Sequence, residues 1–327
     1  MKIGLPSALL HTYYRTFWRT FFGELGLEVV ESGPTTKAII TKGISQAVPE
    51  ICVPMKIYTG HVAELLERGV DWVYVPRFVS IRSGDSFCPK FLGLPDMLKH
   101  TVPGLAERML THYLNAASDD IATTANYLKL GKVFTADQAV IKAAIARGRE
   151  QWHAFRNLCC LDGCDCETAN EAVLTGHPVT VTHLSVKIGL IGYVYNVYDP
   201  IVGMEIIPRL RRLGAEAVTF EMVKSNKLEK HMKHFSRRLF WTFSNKLLAS
   251  AYHFLEDPGI DGVIHVSAFG CGPDSFLGKL LELDADRFDK PLMTIRVDEH
   301  TGESHLQTRV EAFADMIAKL KREKGCA

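Results

Sequence analysis

The chain has 327 residues, 47% hydrophobic and 23% charged, with a formal net charge of +1. It is long enough for two domains with separate cores, and its near-neutral balance gives no basis for a nucleic-acid partner or an anionic membrane surface. MKIGLP at the start reads as a strand rather than a signal, no apolar run reaches membrane-spanning length, and a cytoplasmic location is expected. Eight cysteines without a secretion signal favour metal binding or redox chemistry over a disulfide framework.

In chain order, two copies of one plan emerge. Ile3–Pro6 opens as a strand, His11–Leu25 reads as an aromatic-rich amphipathic helix capped by Gly26, and Leu27–Val30 is the next strand. Lys187–Ile191, a helix over Pro200–Leu213, the cap Gly214 and the strand Ala215–Phe220 repeat the pattern. Each copy continues to a third strand, Trp72–Val75 and Val263–Val266, followed by a cysteine that precedes a helix: Cys88 in the first and Cys271 in the second. Alternating strands and helices predict an α/β chain with two Rossmann-like, doubly wound parallel-sheet domains. Their expected extents are 1–180, which includes a helical connector, and 181–327. Between the copies, Ser118–Leu130 and Ala136–Arg156 read as helices and Leu158–Pro178 as an irregular connector; Ser304–Arg322 reads as the last helix.

The stretch VIHVSAFGCGPDSFLGK, residues 263–279, concentrates the chemistry. A strand leads to Gly270-Cys271-Gly272-Pro273, and helical spacing resumes at Ser275, so Cys271 falls where open α/β sheets place ligands and helix starts favour anions. Cys52 in PEICVPMK stands just before Pro54 and a periodic helix, the same local setting as Cys88 and Cys271. A single cysteine in such a place is most simply a small buried hydrophobe, but three in one setting point to thiolate ligands. Three thiolates are too few for a closed zinc site and suit a [4Fe–4S] cluster with one iron left open.

EICVPMKIYTGHVAELLERGVDWVYVPR, CPKFLGLPDM, AFGCGPDS and DEHTGESHLQTRVEAF together resemble the 2-hydroxyacyl-CoA dehydratase and benzoyl-CoA reductase superfamily. Its branch of activase-related proteins is the nearest match, and double-cubane cluster proteins are further relatives. The resemblance implies a cluster in a cleft between the two domains, held by Cys52, Cys88 and Cys271, either a [4Fe–4S] cluster or a larger double-cubane assembly. It also implies low-potential electrons from an ATP-hydrolysing activator, and a homologous cluster-bearing subunit or a second copy as a further partner. The function that follows is a reductase or dehydratase-like iron–sulfur component; the alternative is a non-catalytic electron carrier or scaffold. Gly192-Tyr193-Val194-Tyr195-Asn196 departs from the branch's GHPYN segment.

The connector carries Cys159, Cys160, Cys164 and Cys166, which read either as additional metal ligands or as an oxidisable loop, since their spacing matches neither zinc ribbons nor ferredoxins. Lys56, His61 and Lys90 lie close in sequence to Cys52 and Cys88 as groups that tune a site, with a packed helical histidine as the other reading of His61. Asp274 and Ser275 read as a helix cap, Asp298, Glu299 and His300 as cleft-lining residues, and the basic run Lys224–Arg238, with His231, His234 and Phe235, as a solvated helix face. Neither GxGxxG nor GxxxxGK[ST] occurs, so no dinucleotide or ATP is expected on this chain.

Overall fold

The computed structural model describes residues 1–233, 238–298 and 303–325; Glu299, His300, His234 and Phe235 of the sequence reading lie outside them. The chain forms two compact units. The first comprises Met1–Asn157, Glu167–His177 and Leu239–Thr242, and the second Leu158–Cys166, Pro178–Arg238 and Phe243–Ala327.

In the first unit the strands are β1 (Lys2–Leu5), β2 (Glu28–Glu31), β3 (Trp72–Tyr74), β4 (Arg77–Ser80), β5 (Met109–Leu110) and β6 (Tyr113–Asn115). Four of them make a parallel sheet in the order β2-β1-β3-β5, while β4 and β6 pair separately. The second unit holds β7 (Val186–Ile191), β8 (Ala215–Thr219), β9 (Gly262–Ala268) and β10 (Leu292–Val297), parallel in the order β10-β9-β7-β8. Numbered along the chain within each sheet, both run second, first, third, fourth. The duplicated α/β plan read from the sequence is therefore present in the topology, and in each sheet the order of strands reverses between the first and the third, the switch point where such folds bind ligands.

Local chemistry explains most elements. All seven residues of β9 are buried, which is why it reads as an almost unbroken apolar run, the signature of a parallel strand covered on both faces. His11–Glu24 buries Tyr13, Tyr14, Phe17, Trp18, Phe21 and Phe22, and its polar handles find partners: the Trp18 indole N–H donates to the Tyr127 hydroxyl at 3.0 Å. Trp152 likewise donates to the Tyr13 carbonyl at 3.1 Å. Helices Lys37–Gln46 and Val53–Glu67 cross with backbones touching, because Gly43 and Gly60 stand at the crossing; a Cβ at either would overlap the carbonyl oxygen of Lys56 or Ile39.

Three segments differ from the sequence reading. The supposed irregular connector is helical: one helix runs Gln138–Asp162, and after a turn at Gly163 another runs Cys166–Thr175. The helix expected over Pro200–Leu213 is confined to Ile206–Arg212, since Met204 and Glu205 adopt left-handed φ of 46° and 51° and Asp199 caps a preceding turn through the N–H groups of Ile201 and Val202. Ser118–Leu130 is helical only over Thr124–Gly131, because Thr123 accepts the Asn126 N–H as an N-cap, and Ser118 and Asp120 bind turn N–H groups instead. In the first unit β4 also intervenes between the third strand and Cys88, whereas Cys271 follows the end of β9 within three residues.

Candidate functional site

Cys52 and Cys88 are the residues immediately before helices Val53–Glu67 and Pro89–Leu92, each with a proline in the first turn and with nearly the same backbone: φ −65° and ψ 152° for Cys52, φ −64° and ψ 157° for Cys88. Proline fixes the first helical φ and disfavours helical geometry in the residue before it, so Pro89 by itself holds Cys88 in an extended conformation. The two thiols interact within the first unit. Burial pushes the Cys88 thiol up despite N–H groups of Phe91 and Lys90 directed at its sulfur, and charge on Cys52 raises it further, while the Lys90 ammonium lowers it. Cys52 is buried and Cys88 partly exposed.

Lys56, one turn into the Cys52 helix, is buried. His61, on the same helix, is fully enclosed, with Nε2 2.9 Å from the Thr35 hydroxyl and Nδ1 2.8 Å from the Ser32 hydroxyl. Both ring nitrogens are thus engaged by hydroxyl groups, and burial lowers the pKa to about 3. His61 is a packed neutral histidine, with no ring nitrogen left to tune a sulfur. At the end of β2, Glu31 receives Arg15 and Arg19, and His11 stands 3.0 Å away. Burial opposes charge on Glu31, but the nearby His11 ring and the hydrogen bonds from Arg15 outweigh it and hold the carboxyl far below the ordinary range.

The switch point of the first sheet is closed by apolar side chains. Leu9, in a left-handed conformation at φ 53°, packs there with Leu10, Tyr58, Phe78 and Phe91 around a cavity of about 10 Å³, room for one water-sized sphere. A glycine-rich phosphate cradle would need free N–H groups in this loop. Here it is filled with leucine side chains.

In the second unit Gly270, at φ 75°, turns the chain after β9, and Cys271 stands just before helix Gly272–Asp284. Beneath it lies a pair that the sequence reading missed. His265 Nε2 meets Asp274 Oδ1 at 2.9 Å with side chains 1% and 0% exposed, and His265 Nδ1 and Asp274 Oδ2 have no hydrogen-bond partner. Asp274 is therefore not the helix cap; only Ser275 acts locally, donating to the Cys271 carbonyl at 2.8 Å. The absence of a side chain at Gly278 admits the ring, since a Cβ there would lie 3.1 Å from His265 Cε1. The available signal was a histidine within a largely apolar strand. Replacing Asp274 by alanine leaves the imidazole buried without its partner and is expected to cost about 1–3 kcal/mol. Because Asp274 anchors the first turn, the Cys271 thiol of this variant should also alkylate faster with iodoacetamide; an unchanged labelling rate would show that the pair does not hold the loop.

The connector cysteines lie at a helix end. Cys159, Cys164 and Cys166 are buried; Cys160 is partly exposed and donates to the Glu221 carbonyl at 3.2 Å. Burial raises the Cys164 thiol to about 11, with charge on Cys159, Asp162 and Asp165 adding to the shift. Leu228 and Met232 anchor helix Ser225–Lys233, which leaves its lysines on a solvated face.

Among the described residues, no group of three or more His, Cys, Asp or Glu side chains is placed to hold one metal ion. Cys52 and Cys88 belong to the first unit and Cys271 to the second. Residues 2–223, about two thirds of the chain, match the family described as the CoA enzyme activase uncharacterised domain (DUF2229). The chain belongs to this family. Membership places it with activases of CoA enzymes, and this overturns the assignment to the dehydratase and reductase superfamily. The same finding overturns the function inferred from that assignment, an iron–sulfur component receiving electrons from an activator, together with the carrier alternative and the iron–sulfur and oxidoreductase descriptions. The expected partnership is reversed in sense, since activation is this family's side of it. No curated protein matches the chain. Among solved structures, a protein provisionally named a phosphosugar isomerase from Silicibacter pomeroyi DSS-3 aligns at 13% identity over 99% of this chain and 87% of its own, with a TM-score of 0.19, too low to carry an inference. Among the described residues no helix is long and apolar enough to cross a membrane.

Proposed function

We propose that this activase-family chain engages a CoA-dependent enzyme of the dehydratase class and serves its activation, and that it is not the enzyme that turns over acyl-CoA. The family match over residues 2–223 carries the reading. The filled switch point of the first unit supports it, since a cavity of about 10 Å³ admits no substrate there. Cys88 and Cys271, partly exposed before helix starts, are the proposed functional thiols, with Cys52 electrostatically coupled to Cys88.

The test is a reconstitution: a 2-hydroxyacyl-CoA dehydratase with ATP and reductant, assayed with and without the purified chain. Turnover is expected to rise when the chain is added and to fall back when the chain has first been alkylated with iodoacetamide. Conversion of acyl-CoA by the chain alone, or a dehydratase rate indifferent to it, would overturn the proposal.

A further inference from the structure

We infer that Cys159 and Cys164 are a redox couple, two thiols that close to an intrachain disulfide by exchange with a low-molecular-weight disulfide. The helix Gln138–Asp162 ends at Gly163, whose φ of 70° turns the chain back on itself, and the Cys164 N–H donates to the Leu158 carbonyl at 3.1 Å. That carbonyl belongs to the peptide joining Leu158 to Cys159. Standard bond lengths then hold the Cα atoms of Cys159 and Cys164 within roughly 7 Å. Disulfides span about 4.4–6.8 Å between Cα atoms, so the reversed turn brings this pair to bridging range with little backbone movement.

The neighbouring cysteines are differently engaged. The Cys160 thiol donates to the Glu221 carbonyl, and the Cys166 N–H donates to the Tyr198 hydroxyl at 3.2 Å. Cys159 and Cys164, by contrast, are buried together, 0% and 2% exposed, and close enough for charge on one to act on the other. Between them Leu161 and Asp162 are exposed on the turn, so opening a single helical end admits an oxidant, as terminal turns do far more readily than a core.

The exchange balances without a further reactant. One cysteine thiolate attacks the external disulfide and releases one small thiol, its proton passing to solvent. The second cysteine then attacks the mixed disulfide, releasing the other small thiol and forming the Cys159–Cys164 bond. Two protein thiols are oxidised and one external disulfide is reduced to two thiols. The couple lies where the chain leaves the first unit after Asn157 and re-enters it at Glu167, so closure ties the end of the connector helix covalently to the turn that follows.

Asp162 and Asp165 make the test clean, because cleavage before each aspartate separates the Cys159–Cys160 peptide, Cys164 and Cys166. The full chain is equilibrated anaerobically with oxidised and reduced glutathione at graded ratios, trapped with N-ethylmaleimide, cleaved before aspartate and analysed by mass spectrometry without reduction. The expected product is the Cys159–Cys160 peptide joined to the Cys164 peptide, rising with the oxidised fraction, retained in Cys160→Ser/Cys166→Ser and lost in Cys159→Ser. Linkage to Cys166, linkage that persists in Cys159→Ser, mixed glutathione disulfides without ring closure, or full maleimide labelling of wild type at every ratio would each overturn the couple. The wild-type readings do not depend on any variant folding.

Discussion

Gly60→Ala is expected to destabilise the first unit by about 3 kcal/mol or more, at or beyond the upper end for added core volume. A Cβ at this position overlaps the Ile39 carbonyl oxygen, and backbone cannot rotate away as a flexible side chain can. Relief requires helices Lys37–Gln46 and Val53–Glu67 to move apart, and the second of these begins at Cys52 and carries Lys56 and His61. Gly43→Ala, against the Lys56 carbonyl, should behave alike. Gly23→Ala is the internal comparison. It lies in helix His11–Glu24 with nothing within 4 Å of the added Cβ, and it should stabilise by about 0.5–1 kcal/mol through helix propensity. Urea unfolding of the three variants decides the matter; a Gly60→Ala protein as stable as Gly23→Ala would show that the crossing is not close-packed.

Acidification is expected to weaken the first unit well above the ordinary carboxylate range. His61 has its pKa lowered from 6.5 to about 3. His112 is lowered to about 3 as well, by burial, and neither ring nitrogen has a hydrogen-bond partner. Between pH 6.5 and 3 the unfolded chain binds these protons and the folded chain does not, so stability declines as pH falls through that window. For His61 the full decline approaches about 5 kcal/mol at roughly 1.4 kcal/mol per pH unit. Glu31 acts in the same direction lower down: its depressed folded pKa contributes stability above the unfolded carboxylate value, and that contribution is lost as pH falls toward the folded one. His112 permits a clean control. Its ring stacks 5.7 Å from Tyr74 and meets Tyr127 edge-on at 4.9 Å, so His112→Phe keeps the aromatic packing and removes only the titrating group. Unfolding free energies measured from pH 7 to pH 4 should fall less steeply in His112→Phe than in wild type. Identical slopes would mean that His112 is protonated in the folded protein.

The second unit ties its partners more locally, and the consequence for the thiols differs. Cys271 depends on Gly270 and on the His265–Asp274 pair for its position, whereas Cys52 depends on a helix crossing contributed by residues well separated in the chain. A disturbance of the Gly43–Gly60 contact should therefore change Cys52 labelling while leaving Cys271 labelling as it was.

The alternating α/β plan, the strands around Ile3, Ile188 and Val263, and the helix starts after Cys52, Cys88 and Cys271 were legible in the amino-acid sequence. These rest on local chemistry: β-branched and apolar runs for buried parallel strands, and proline at a first helical turn. The four-cysteine connector did not read as helical because cysteine and aspartate around a glycine resemble a loop, and only burial of Cys159, Cys164 and Cys166 makes the helix ends favourable. Only the folded chain shows that His61 is engaged by Ser32 and Thr35, that Asp274 serves His265 rather than a cap, and that the Cys164 N–H turns back to the Leu158 carbonyl. Each of these is a choice of partner, and a side chain's type states what it can bond to while the fold states what stands within reach.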